Sequence, residues 1–123
     1  MDLFARKIIA WTLSDTMEVS TVIATIDKAK AYRNTESPLI IHSDRGSQYV
    51  SNACIESFHS LIKREWLNRF SIQDYNHAYS LVFEYIEAFY NTVRIHTHCD
   101  YMSPDEFEKL YNNSNLSYPL SIW

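Results

Sequence analysis

An acid, an arginine and the only glycine of the chain stand together in His42-Ser43-Asp44-Arg45-Gly46-Ser47-Gln48-Tyr49. They follow Leu39-Ile40-Ile41, an apolar run of the length expected for a short buried strand. The reading is a strand that ends in a tight turn and presents the Asp44 carboxylate at its carboxyl edge, where open sheets carry their chemistry. Further on, Glu56 and Lys63 are seven residues apart on a segment with helical spacing, so they share a face. A strand-end aspartate and a helical glutamate can hold a divalent cation between them. Eleven residues separate Asp44 from Glu56, a short interval for two ligands on different elements. Asp-Arg-Gly is also good turn chemistry with no catalytic role. Taken alone, Glu56 and Lys63 are ordinary solvated helix residues, so only a wider constellation can assign them.

The elements that must position these residues follow from periodicity. Residues 3–13 (LFARKIIAWTL) are β-prone and read as a strand, or as two pieces around Arg6-Lys7. Residues 18–33 place Val19, Val22, Ile23, Ile26 and Ala29 on one stripe and predict an amphipathic helix. The segment 52–68 is helical by Ile55, Phe58, Ile62 and Trp66, with Glu56, Ser60 and Lys63 on the neighbouring stripe. Residues 74–94 make the clearest helix, with Tyr75, Tyr79, Val82, Ile86, Phe89 and Val93 as core or a packing seam. Ser103 caps a short helix that starts at Pro104. The result is an α/β chain with too few strands for a comfortable sheet.

Composition narrows the classes. With 46% hydrophobic and 15% aromatic residues the chain is globular, and its length suits one domain with a modest core. No apolar run is long enough to cross a bilayer, and the first residues do not read as a signal peptide. The isolated Cys54 and Cys99 read as reduced cytosolic thiols. A net charge of −4 argues against a generic nucleic-acid binder. The charge is uneven, however. Residues 1–69 hold nine Lys/Arg against eight Asp/Glu, and residues 70–123 hold two against seven. Any polyanion contact is therefore expected in the first half, at Arg6-Lys7, Lys28/Lys30/Arg33, Arg45 or Lys63-Arg64/Arg69. His96, His98 and Cys99 lack the spacing of a zinc site.

At this point the sequence resembles a known family. His42 to Tyr49 is similar to the second-aspartate motif of DDE transposases, of the retroviral-integrase superfamily. The nearest group is the second-frame product of insertion sequences of the IS-three type. Residues 2–11 (DLFARKIIAW) resemble that family's second and third strands. Residues 53–63 (ACIESFHSLIK) resemble the helix of its catalytic glutamate. Residues 90–96 (YNTVRIH) and 101–104 (YMSP) resemble the end of the integrase core. The likeness covers about residues 2–110. It implies residues 1–111 as a partial integrase catalytic core of RNase H-like fold, an incomplete sheet with C-terminal helices, and 112–123 as a poorly ordered tail.

The resemblance further implies DNA transposition and integration through Mg²⁺ (or Mn²⁺) held by three carboxylates. Asp44 becomes the second carboxylate and Glu56 the third, both catalytic and both metal ligands. Lys63 matches a DNA-contacting position, and Arg45, Gln48 and Arg94 are weaker DNA or structural contacts. The implied partners are transposon-end DNA, a further copy or an intact transposase, without membrane. The implied location is the bacterial cytoplasm, at the nucleoid when on DNA.

Two departures bear on activity. The family's first aspartate lies on a strand upstream of the segment matching residues 2–11, and Asp2 matches a different position. The family also has a helix, a strand and a Gly-rich loop between the Asp44 and Glu56 positions. Ser51-Asn52-Ala53 could be the join left by an in-frame deletion. Two carboxylates hold one metal weakly and do not readily form a two-metal clamp. The expectation is a transposase remnant inactive on its own, with exposed apolar faces that favour association. Whether the chain is itself an enzyme stays open. The alternative is a non-catalytic interaction protein that pairs with intact transposase and inhibits it.

Overall fold

A computed structural model describes residues 1–16, 18–33, 40–41, 49–114 and 121–122; the side chains of 41, 49–55 and 121–122 lie outside the description. Among the described residues the elements are α1 (Val19–Arg33), β1 (Ile40–Ile41), α2 (Tyr49–Glu65), α3 (Tyr75–Phe83), α4 (Pro104–Asn113) and β2 (Ser121–Ile122). Single 3₁₀ turns occupy Leu67–Arg69 and Thr97–Cys99. β1 and β2 pair in parallel, with Ile40 opposite Ser121 and Ile41 opposite Ile122. Ile40–Ile41 therefore is extended as its β-branched residues favour.

The strand expected over residues 3–13 does not form. Leu3–Ala5 is a turn, and Arg6 sits in the left-handed region at φ 57°. The following residues run to Leu13 without a ladder partner. A side chain takes the place of a neighbouring strand at one position. Asn91 Oδ1 accepts from the Ile8 N–H at 2.9 Å, and Asn91 Nδ2 donates to the Ile8 carbonyl at 3.0 Å. Asn91 is itself 3% exposed, so the amide satisfies backbone groups that burial would otherwise leave costly.

The long helix is present but turns differently from its pattern. After Phe83 it widens into a π-helical segment, Glu84–Tyr90, seen in the bond from Asn91 N–H to the Ile86 carbonyl at 3.1 Å. The wider turn changes which residues of the segment face inward, while Ile86 and Val82 of the expected seam stay in the core. Leu81, Tyr85, Ile86 and Tyr90 are buried. Tyr75, Tyr79, Phe89 and Val93, expected in the seam, are exposed. α2 keeps its pattern, with Ile62 buried and Phe58 and Trp66 packed against the same core as Ile8, Tyr85, Ile86 and Tyr90.

A second core joins Ala5, Cys99 and Phe107, with Phe4, Met102 and Tyr111 against them. The Phe4, Phe107 and Tyr111 rings form a cluster with centroids 4.8–5.1 Å apart. α4 begins as its sequence requires. Ser103 accepts from the Glu106 N–H at 3.3 Å, the Glu106 carboxylate accepts from the Ser103 N–H at 2.9 Å, and Pro104 fills the first helical position. α1 is helical where expected, yet only Ala29 of its apolar stripe is buried, against Ile9 and Ala10. Val19, Val22 and Ile23 are 74%, 55% and 53% exposed.

Candidate active site on the second helix

Tyr49–Glu65 forms a helix, so Glu56 is carried in its second turn and Lys63 two turns further on. Glu56, Ser60 and Lys63 are all exposed, while Phe58 and Ile62 turn inward to the core. The helix thus separates a packing face from a chemical one, as the spacing predicts. Neither Glu56 nor Lys63 makes a hydrogen bond or ion pair among the described residues. An unpaired, solvated carboxylate on a rigid helix is a competent ligand for a hard cation. A cavity of about 380 Å³ opens between α2 and residues 11–13, lined by His59 and Lys63 among others.

Asp44, Arg45 and Gln48 lie outside the described residues, as do His42 and Gly46. Among the described residues no three His, Cys, Asp or Glu side chains gather to hold a metal ion. Of the two expected ligands, Glu56 lies among the described residues.

Arg94 is engaged by a carboxylate of α2. Its Nη2 and Nε donate to Glu65 at 2.9 and 3.0 Å, and the Tyr85 hydroxyl donates to the same carboxylate at 2.7 Å. Arg94 holds the Glu65 carboxyl below its ordinary range. Burial raises Tyr85 well above the usual phenol, and Glu65 adds to the effect. The bidentate pair fixes α2 to the end of the long helix.

Several basic residues expected at a polyanion surface are turned inward instead. Lys7 Nζ lies 2.8 Å from Asp105, 3.0 Å from Glu108 and 2.7 Å from the Tyr32 hydroxyl. Arg33 pairs with both Asp2 and Glu108. Lys7 and Arg33 are therefore spent inside the protein, whereas Lys28, Lys30, Lys63 and Arg64 remain exposed. Burial opposes the charge on Glu108, but Arg33 and Lys7 together keep its carboxyl below the usual range. Asp105 and Glu108 likewise hold Lys7 above the usual amine against its burial. Sequence reasoning missed this cluster. The available signal was Arg6-Lys7 inside an apolar run, since a lysine there must find an anion. Cys99 is buried with its thiol raised to about 11 by burial, and its Sγ donates to the Ala5 carbonyl at 3.4 Å. It is a packing residue.

Comparison with known proteins places this geometry in context. An integrase core domain family matches residues 1–79, and a second family of the same description matches residues 56–114. The transposase for insertion sequence element IS904 of Lactococcus lactis subsp. lactis is 34% identical over 137 residues, covering 92% of this chain and 54% of the relative. The transposase InsF for insertion sequence IS3A of Escherichia coli is 30% identical over 141 residues, covering 95% of this chain and 48% of the relative. The chain spans about half the length of these curated relatives. Both aligned stretches exceed the 123 residues present here, so each relative carries residues inside the matched region that this chain lacks. No solved structure matches.

Proposed function

The chain belongs to the integrase core domain family, and from that premise we propose that it is a remnant of a DNA transposase catalytic domain. The integrase core implies an RNase H-like fold, and the family generally uses a divalent metal for phosphoryl transfer on DNA. In this reading Asp44 and Glu56 are the second and third carboxylates. They would hold Mg²⁺ or Mn²⁺, whose charge stabilises the attacking and leaving oxygens of an in-line displacement. Lys63, seven residues beyond Glu56 on the same exposed face, neutralises a DNA phosphate near the reacting centre. Arg45 and Gln48 flank Asp44 as weaker DNA contacts. Arg94 acts through Glu65 by fixing the helix that carries Glu56. Residues 1–111 form the core unit and 112–123 its tail.

The observation that carries the reading is Glu56 itself: exposed, without a partner among the described residues, and aligned with Lys63 on a helix segment that lies within both family matches. The shortfall against the relatives supports loss of activity in this chain alone. The two carboxylates then lack the intervening elements that space them, and placement is most of the mechanism in metal-assisted phosphoryl transfer. The test is purified chain incubated with transposon-end DNA and Mg²⁺ or Mn²⁺. The expected result is binding without strand joining, weakened by Lys63→Gln. Metal-dependent joining would overturn the inactivity, and absence of any DNA contact would overturn the transposase reading.

A second reading rests on a separate observation. Val19, Val22 and Ile23 of α1, and Tyr75, Tyr79 and Phe83 of α3, leave apolar surface uncovered. The chain would then pair with an intact transposase and block its assembly, as a non-catalytic inhibitor in the bacterial cytoplasm. Lower transposition of an intact element on expression of this chain, with recovery of a stable complex, is the expected outcome. Unchanged transposition and no complex would remove it.

A further inference from the structure

The segment from Ile8 to Leu13 lies between helices on two faces. Toward the long helix, Ile8 is bonded to Asn91, the Trp11 Nε1–H donates to Glu87 at 3.2 Å, and the Leu13 carbonyl accepts from the Tyr75 hydroxyl at 2.8 Å. Toward α1, Ile9 and Ala10 pack on Ala29, and the Thr12 and Thr25 hydroxyls share a hydrogen bond of 2.6 Å. The first set of contacts fixes the shape of the segment. Tyr75 to Asn91 spans roughly 20–24 Å of helix, and six residues cover such a length only when extended, at roughly 3.3 Å each. IIAWTL is therefore strand-like in shape, as its composition favours, with both faces covered.

Its backbone is not covered. Among the described residues, no hydrogen bond reaches the N–H or carbonyl of Ile9, Ala10, Trp11 or Thr12, and Asn91 serves Ile8 alone. A groove of about 330 Å³ opens along the segment, lined by Ala10, Trp11 and Thr12, by Thr25 of α1, and by Phe58 and His59 of α2. Thr12 is exposed, and Ala10 and Trp11 are half-buried. Unpaired backbone groups on a strand whose faces are packed form a template for one kind of ligand, a further strand.

We propose that this open edge is an interaction surface whose occupant is the same segment of a second copy, the two Ile8 to Leu13 stretches pairing antiparallel across a two-fold axis. The residues themselves choose that occupant. An extended backbone offers donors and acceptors at strand spacing, and IIAWTL is uncharged and free of Gly and Pro, so it is its own template. Lys7, the next residue, is turned inward onto Asp105 and Glu108 and brings no like charge to the edge. Antiparallel pairing sets the Asp15 end of one copy beside the Arg6 end of the other, so opposite charges meet at both ends. The exposed Val22 of α1 lies one turn before Thr25, which makes the open edge and the bare half of α1 continuous. Two identical edges related by a two-fold axis close on each other, so the association stops at a dimer. The inference goes beyond the transposase reading and does not rest on it.

Sedimentation of the full chain over a concentration series, with amide hydrogen exchange at both ends of the series, tests the pairing. The expected result is a monomer–dimer equilibrium in which the Ile9, Ala10, Trp11 and Thr12 amides exchange fast in the monomer and slowly in the dimer. Thr12→Lys sets like charges on the two paired edges and should weaken dimerisation about tenfold or more, with the urea midpoint of the dilute monomer unchanged. Thr12→Val loses the bond to Thr25 but keeps a β-branched edge, and should dimerise as the unaltered chain does. A chain that stays monomeric at every concentration would overturn the proposal. A dimer indifferent to Thr12→Lys, with the four amides still exchanging fast, would move the contact to the helix faces and overturn the edge. Amides already protected in the monomer would mean that the edge is covered within one chain, and a series of ever larger species would overturn the closed pair. No arm of the experiment uses DNA, so its outcome leaves the transposase reading untouched.

Discussion

α1 and α4 are both of moderate length and both carry apolar residues at helical spacing, yet one is embedded and the other half bare. α4 begins in a reciprocal Ser103–Glu106 cap, buries Pro104, Phe107 and Glu108, and is pinned by the Asp105 N–H donating to the Asn91 carbonyl at 2.9 Å. α1 buries only Ala29 and is held at its carboxyl end by Arg33 and Tyr32. The difference lies outside the helices. Phe107 and Tyr111 of α4 meet the Phe4 ring, and Glu108 meets the cations of Lys7 and Arg33. The amino-terminal half of α1 meets no described partner for Val19 and Val22, in a chain shorter than the matched stretch of its relatives. An amphipathic pattern specifies what a helix can bury, and distant chain decides whether it does.

Breaking the embedded end should cost most. Glu108→Ala removes the carboxylate that Lys7 and Arg33 share, leaving Asp105 and Asp2 as their partners in a site where both cations are about a tenth exposed, and should lose about 2–3 kcal/mol in urea denaturation. A loss below about 1 kcal/mol would mean the ion cluster does not organise this end.

pH should separate the contributors. Glu108 has a folded pKa below its ordinary 4.5, so its contribution is full above that value and is lost as pH falls further. Lys7 is raised above 10.5, so its contribution is full below that value and is lost in strong base. His96, depressed from 6.5 to about 4, favours the folded state above pH 6.5 and progressively ceases to as pH falls toward 4. Stability should therefore fall in acid, with His96 contributing as pH drops from about 6.5 toward 4 and Glu108 and Glu65 contributing below 4.5. His96→Phe should remove the earlier part of the fall, and Glu108→Gln should shrink the later part. An unchanged acid profile in both variants would contradict the assignment.

A smaller effect is expected at the cap. Ser103→Ala should lose about 1 kcal/mol, with Ser103→Asp retaining most of the stability. Equal losses in the two variants would argue that the buried Ser103 packs and does not cap.

The bare end should respond least. Val22→Ser with Ile23→Ser should shift unfolding by no more than about 0.5 kcal/mol. The same pair should reduce self-association measured by sedimentation. A large loss of stability would mean that the face is covered in solution and would dissolve the contrast between the helices.

Much of the local structure was legible in the residues. The helices over 19–33, 49–65, 75–83 and 104–113 follow from 3.6-residue periodicity and the Ser103-Pro104 start, while the Asp74 cap, whose carboxylate accepts from the His77 N–H at 2.7 Å, came from the structure. The exposed alignment of Glu56 with Lys63 follows from the same period, because spacing along a helix fixes angle around it. The family likeness was legible for a different reason: its motifs are short and contiguous, and the comparisons bear it out.

What the tertiary structure decided is every feature that depends on a remote partner. Residues 3–13 have strand composition, but a strand needs a ladder, and at Ile8 the Asn91 side chain stands in its place. Which of the long helix's apolar residues are buried, Leu81, Tyr85, Ile86 and Tyr90, depended on what packs against them and on the π-helical turn at Glu84–Tyr90. Lys7 and Arg33 read as surface charge until the fold set them against Asp2, Asp105 and Glu108. Helical period is a property of neighbouring residues and survives in a sequence. Ladders, ion clusters and covered faces join residues far apart in the chain, and only packing chooses among the pairings that composition permits.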